Sequence, residues 1–246
     1  MSGLLLPTVP RSAALLAPVA PTVVTPVGVL EFHAGLDRRR LPGRPTRAHR
    51  LPGGAVVHRW ETEAAELELL LCPFEAGETE FTLPVDACWG AVWQLRARTA
   101  LRHVELSAGF SGVPADVESG YDGGQAVAAV SLSNAGTELT LGGSDEEEIC
   151  ARAADGRALP RRWAAHLDDV YARSPRLAWG VEYLDDHRSL AWTLPPFEPG
   201  DEAVLHAAVS WRTPQPEDPE DDMSPWWAVL VQPERILAAA TGAARP

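Results

Sequence analysis

The chain has 246 residues, with 34 Asp and Glu against 21 basic side chains and a net charge of −13. That balance argues against nucleic acid or an anionic membrane surface as the main partner, because both repel an acidic protein. Every basic side chain is arginine, which excludes Schiff-base chemistry, a P-loop lysine and a Ser-Lys dyad. A chain of this length buries enough surface to fold without a metal or a disulfide. Cys72, Cys88 and Cys150 have no C-x-x-C or zinc-like spacing, so they read as buried thiols in a reducing, cytoplasmic compartment.

Residues 1–28 are apolar but carry Pro7, Pro10, Pro18, Pro21 and Pro26. Prolines at that density forbid a membrane-spanning helix, and no basic segment precedes the leucines of a signal peptide. The segment reads as an extended arm. Strands are expected at 29–34, 56–61, 66–71, 80–85 and 91–96, where apolar residues alternate between turn signals. Further strands are expected at 103–108 and 125–131, on either side of a glycine-rich stretch. Residues 148–154 carry two conflicting signals. Ser144-x-x-Glu147 has the form of a capping box, whereas Asp155-Gly156 suits a hairpin turn; the expectation is a strand. Trp163, Leu167, Val170 and Tyr171 have helical spacing, so a helix is expected near 160–173, opened by Pro160. Strands resume at 178–183, 189–193 and 203–211. An acidic loop follows at 213–225, then a strand at 226–231 and a short helix at 233–240.

Two short motifs recur in the same order about half a chain apart. Pro73-Phe74-Glu75-Ala76-Gly77-Glu78 returns as Pro196-Phe197-Glu198-Pro199-Gly200-Asp201, and Asp37 to Arg44 resembles Asp155 to Arg162. Both Pro-Phe-Glu motifs follow alternating apolar residues, Leu67, Leu69 and Leu71 in one case and Leu190, Trp192 and Leu194 in the other. The expectation is a mainly β protein: an antiparallel β-sandwich built from a duplicated module, with one or two short helices. Its parts would be the arm at 1–28, a first β module at 29–124 and a second at 125–246. Phe74 and Phe197 would plug equivalent turns.

Arg38, Arg39, Arg40, Arg44, Arg47, His49 and Arg50 form the strongest charge anomaly in an acidic chain. They suit a small carboxylate or phosphate ligand, or a pairing with the acidic segments at 145–148 and 217–222 within or between subunits. Trp226-Trp227 follows the acidic loop. One ring of adjacent strand residues must face outward, which makes the pair a recognition point. No hydrolase elbow, zincin, dinucleotide or catalytic cysteine motif is present. The Asp and His runs at 166–169 and 185–187 do not converge on one ion by their spacing, and neither a metal nor a cofactor is expected.

The first functional reading is therefore a non-catalytic binding or assembly protein that engages a protein partner or its own copies. A second is an isomerase, cyclase or glycan-active enzyme, with its site drawn from Arg44, His49, His58, Asp168, Asp186 and His187 in a sheet cleft. A third is a sugar-binding module with two or more exposed tryptophans.

Overall fold

The computed structural model describes residues 6, 13–76, 83–124, 127–174, 177–185, 188–218 and 222–242. In chain order the first strands are β1 (Ala14–Leu16), β2 (Thr22–Thr25), β3 (Gly28–Leu36), β4 (Arg39–Arg40) and β5 (Arg47–Arg50). Next come β6 (Val56–Glu61), β7 (Ala65–Phe74), β8 (Ala87–Ala97), β9 (Val104–Ser111) and β10 (Glu118–Gly124). The hairpin of β11 (Val127–Asn134) and β12 (Thr137–Ser144) leads into helix α1 (Glu146–Ala154). A 3-10 segment at Arg161–His166 runs into α2 (Leu167–Tyr171). The chain continues with β13 (Gly180–Leu184), β14 (Ser189–Leu194), β15 (Glu202–Arg212), α3 (Ser224–Val229) and α4 (Pro233–Thr241).

These strands make two antiparallel sheets. The larger has nine strands in the order β1-β5-β6-β7-β8-β15-β12-β11-β10. The smaller runs β13-β14-β9-β3-β2, with β4 paired to β3. Alternation decides which side chains face the interior. In β3, Leu30, Phe32 and Leu36 are buried, and the residues between them are half-exposed. In β9, Val104, Leu106, Ala108 and Phe110 turn inward in the same way. The inner faces meet in a continuous core with Trp93 at a junction. Its ring lies 5.8 Å from Phe32 and 5.8 Å from Trp192, both on the smaller sheet. The Trp192 indole donates to the Ser144 carbonyl at 2.8 Å. Gly143 makes room for that ring, since a Cβ there would stand 2.5 Å from Trp192.

The larger sheet is covered on part of its outer face as well. β7 shows this in its own sequence: alternation gives way to an unbroken buried run from Leu69 to Cys72. Leu67, Leu69 and Leu71 face the main core, and Leu70 and Cys72 pack under α4 with Ile236 and Leu237. Pro233 opens α4 and Gly242, at φ 65°, closes it. Helix α1 seals one end of the sandwich with Ile149, Cys150 and Ala153, and the Asp145 carboxylate caps it by accepting from the Glu148 N–H at 2.9 Å.

Several expectations are corrected. Residues 146–154 are helix, because Asp145 caps the acidic first turn; Gly156, at φ 69°, follows the helix end rather than turning a hairpin. The expected strand at 226–231 is the helix α3 and the segment after it, with Pro225 in its first turn. Among the described residues there are four short α-helices, and the fold is the expected mainly β sandwich with few helices. The duplicated motifs do not occupy equivalent places. β7 lies inside the larger sheet and β14 inside the smaller. Phe74 packs in the outer layer under α4, whereas Phe197 packs in the main core with its ring 5.0 Å from Trp163. Strands from residues 29–124 and from residues 125–246 stand together in each sheet. Gly77 and Glu78 of the first motif lie outside the described residues.

The three cysteines are free and buried. Burial pushes the Cys72 thiol up to about 12 and the Cys150 thiol up to about 11, so neither is a nucleophile at neutral pH. Among the described residues, no helix is long and apolar enough to cross a membrane.

Two buried histidines set an acid limit on the fold. Burial lowers His58 to about 4 and His206 to about 3. Both stay neutral when folded and take up a proton on unfolding, so stability is full above the ordinary value of 6.5 and falls as pH drops below it. Each group removes about 1.4 kcal/mol per pH unit in that window. Urea unfolding at pH 7.5 and pH 5 is expected to show a loss of about 2 kcal/mol per histidine. His58→Gln is expected to flatten the pH dependence by its own share.

Candidate functional site

The outer face of the smaller sheet carries no covering helix among the described residues. It holds a pocket of about 470 Å³ whose lining includes Glu31, His33, Arg38, Arg40, His103 and Glu105. Each of these follows from local structure. Glu31 and His33 are the outward residues of β3, on either side of the buried Phe32 and beside the buried Leu30. Glu105 is the outward residue of β9 beside Val104 and Leu106. Strand register brings them to one floor, because Glu31 pairs with Gly109, His33 with Ser107 and Gly35 with Glu105.

Arg38 and Arg40 come from the β3–β4 hairpin. Its turn is made by Asp37 and Arg38 at φ 47° and 64°. Left-handed pairs of this kind favour Asn-Gly or Asp-Gly, so an arginine at the second place is a departure. The Asp37 carboxylate holds the turn by accepting from the backbone N–H groups of Arg102 and His103 at 2.8 and 3.2 Å. The same grip places His103 at the pocket rim. Arg40 sits opposite Gly35, so no side chain stands between its strand and Glu105. A Cβ added at Gly35 would meet only ordinary contacts, the nearest 3.5 Å away.

The charges in the pocket are unevenly satisfied. The Glu31 carboxylate accepts from the Ser111 hydroxyl at 2.7 Å and lies 3.5 Å from His33 Nε2. His103 Nε2 lies 3.7 Å from the Glu105 carboxylate. Burial lowers the His33 pKa and Arg40 lowers it further, against a smaller opposing pull from Glu31. His33 is therefore a neutral imidazole at pH 7, able to donate at one nitrogen and accept at the other. Among the described residues, neither Arg38 nor Arg40 makes an ion pair.

The arginine cluster read from the sequence is split by the fold. Arg38 and Arg40 line the pocket. Arg47 and His49 lie on β5 of the larger sheet, in register with Arg59 and Val57. Arg44 is exposed on the loop between β4 and β5. Among the described residues, the acidic segments do not meet the cluster either. Arg212 holds Asp218 at 2.9 Å and Asp222 at 3.0 Å, and the run at 145–148 begins α1. Trp226 is buried and Trp227 is 40% exposed, their rings edge to face at 5.2 Å. It is the one tryptophan exposed, so the expected platform of two is not formed.

Among the described residues, the enzyme candidates do not converge. His58 is buried beside Trp60, His49 lies on β5, and Asp168 is exposed on α2. Asp186 and His187 lie outside the described residues. Glu31, His33, His103 and Glu105 were missed. Their signal was two mirrored pairs, Glu31-x-His33 and His103-x-Glu105, which share a face only once β3 is known to pair with β9. No cluster of three or more metal-ligating side chains occurs among the described residues.

No protein-family model matches the chain, and no curated protein matches it in sequence. Among solved structures, a putative kojibiose phosphorylase from the human microbiome aligns with a TM-score of 0.49 at 6% identity, over 94% of this chain and 30% of that one. A polysaccharide lyase aligns with a TM-score of 0.33 at 13% identity, over 77% of this chain and 26% of that one. The chain thus spans less than a third of the length of either protein.

Proposed function

We propose that the protein binds a small, hydroxyl-rich carboxylate, of the sugar-acid class, in the pocket on the smaller sheet. One observation carries this reading: Arg38 and Arg40, unpaired among the described residues, line the same pocket as Glu31 and Glu105. Guanidinium groups match a carboxylate through paired N–H donors. Glu31, Glu105 and neutral His33 supply acceptors for ligand hydroxyls, and Ser107, Ser111 and Ser189 supply hydroxyls of their own. A volume of about 470 Å³ falls within the range of small-molecule pockets.

This reading is preferred to assembly through complementary charged loops, because Asp218 and Asp222 are already held by Arg212 within the chain. The turn at Arg38 supports it independently. A non-glycine residue in the left-handed region costs about 1 kcal/mol, which a side chain needed at the rim explains.

Isothermal titration with D-glucuronate and D-galacturonate, beside the matching neutral hexoses, tests the proposal. The acids are expected to bind, the neutral sugars about tenfold more weakly or not at all, and Arg40→Ala is expected to weaken the acids about tenfold. Equal binding of acids and neutral sugars, or full affinity in Arg40→Ala, overturns it. Gly35→Leu is expected to fill the pocket floor and abolish binding with little change in the thermal midpoint, because its Cβ meets no close contact. Arg38→Gly is expected to do two opposite things at once. It relieves the turn and raises the midpoint by roughly 2–4 °C, and it removes a guanidinium and weakens binding.

A further inference from the structure

The pocket does not end at β9. One outward row crosses five strands without a break. Arg40 pairs with Gly35, Gly35 with Glu105, Glu105 with Thr193, and Thr193 with Gly180. The row beside it reads His33, Ser107, Ala191, Glu182. At the far end lies a second pocket, of about 330 Å³, lined by Glu146, Trp179, Glu182 and Thr193 among others. Glu105 of the first pocket and Thr193 of the second are direct cross-strand partners, so the two hollows adjoin. Apart from Glu105, which stands midway along the row, the positions between the ends are small: glycine, serine, alanine and threonine. They leave a trough across the strands.

The second pocket also has an unmet polar group. Trp179 is 8% exposed, and its indole N–H has no partner among the described residues. A buried donor of this kind costs about 1–3 kcal/mol unless something accepts from it. Its ring packs edge to face on His166 at 5.6 Å and otherwise belongs to the main core, so at this end of the trough it offers its N–H rather than an open aromatic face.

We infer that the ligand is an elongated acidic sugar chain lying across the strands, with a carboxylate at Arg38 and Arg40 and its far units beside Trp179 and Glu182. The inference rests on the sugar-acid reading of the first pocket. Four inter-strand spacings of about 4.8 Å give the trough a length of roughly 19 Å, which is longer than a single sugar ring. An extended peptide is the poorer fit. Peptides add to a sheet at its edge, where backbone groups are unpaired, and this trough lies on a face, where hydroxyls and carboxylates are on offer. The exposed Glu182 carboxylate at the far end accepts from neutral sugar hydroxyls, and with Glu146, which already accepts from the Val181 N–H at 2.7 Å, it repels a second anionic group, so the acidic unit is directed to the arginine end.

Galacturonate and its dimer and tetramer, titrated into the intact chain by calorimetry, separate the possibilities. Affinity is expected to rise at least about tenfold from monomer to tetramer. In Thr193→Trp, which fills the far pocket, and in Glu182→Gln, the ratio of tetramer to monomer affinity is expected to fall toward one. Thermal melts by circular dichroism establish that each variant is folded, and Glu182→Gln serves if Thr193→Trp is not. Equal affinity for monomer and tetramer in the unaltered chain overturns the elongated-ligand inference and leaves the single-sugar site standing. A rise with length that both folded variants retain overturns it too. No binding of any of the three overturns both readings together.

Discussion

The contact of Trp93 with Phe32 and Trp192 holds the two sheets in register. Trp93 stands on the larger sheet and its two partners on the smaller, each ring centre 5.8 Å from its own. Large rings buried at a sheet interface are hard to reposition, because the interior is packed to crystal-like density. This contact also determines what lies outside. With Phe32 fixed inward, Glu31 and His33 must face outward, since successive strand residues take opposite faces. A one-residue slip of β3 would bury both of those polar groups and expose Leu30 and Phe32. The polar floor of the pocket is the reverse side of the hydrophobic core.

The two outer faces are treated differently. On the larger sheet, α3 and α4 cover one part, and an internal charge network occupies another. There Arg59 lies 3.1, 3.2 and 3.5 Å from Glu61, Glu66 and Glu68, and Arg98 also pairs with Glu66. That region has few charges left to offer a ligand. On the smaller sheet the described residues include neither a covering helix nor a partner for Arg38 and Arg40. Unpaired guanidinium groups above small side chains are an arrangement that a ligand completes. The difference between satisfied and unsatisfied charge separates a structural surface from a candidate site more clearly than the number of charges does.

Much of the fold was legible because alternation is a strong signal. β3, β6, β7, β8, β14 and β15 all fall where apolar residues recur every second position, and α4 lies between its proline and its glycine. The failures share a cause, which is that short motifs were read without their packing partners. Pro-Phe-Glu occurs twice because it is good turn chemistry, and the two phenylalanines serve different layers. The segment at 146–154 has a helix cap and a glycine turn, and its apolar residues fill one end of the sandwich, which decides for helix. Trp226 and Trp227 are adjacent, which on a strand would put one ring on each face, but Pro225 starts a helix that buries one and exposes the other. The site was half legible. Arg38 and Arg40 stood out by charge density, but Arg47 and His49 belong to the other sheet. Glu31 and Glu105 are far apart in sequence, and only the β3–β9 pairing brings them to one floor.

The proposed binding of an anion by an acidic chain is physically consistent because of the length scale of screening. At physiological salt the Debye length is about 8 Å. Exposed carboxylates far from the pocket therefore contribute little at its rim, although the whole chain carries −13. The nearer charges decide. Glu31 and Glu105 are close enough to repel an anion, but each lies within 3.7 Å of a histidine and neither stands at the closed end of the β3–β4 hairpin, residues 35–40, that carries the arginines. The repulsion acts on the side of the ligand that carries hydroxyls, where a carboxylate is a good acceptor. Attraction at the hairpin and repulsion along the floor would together fix the direction of the proposed ligand. A uniformly basic pocket would hold an anion more tightly and orient it less.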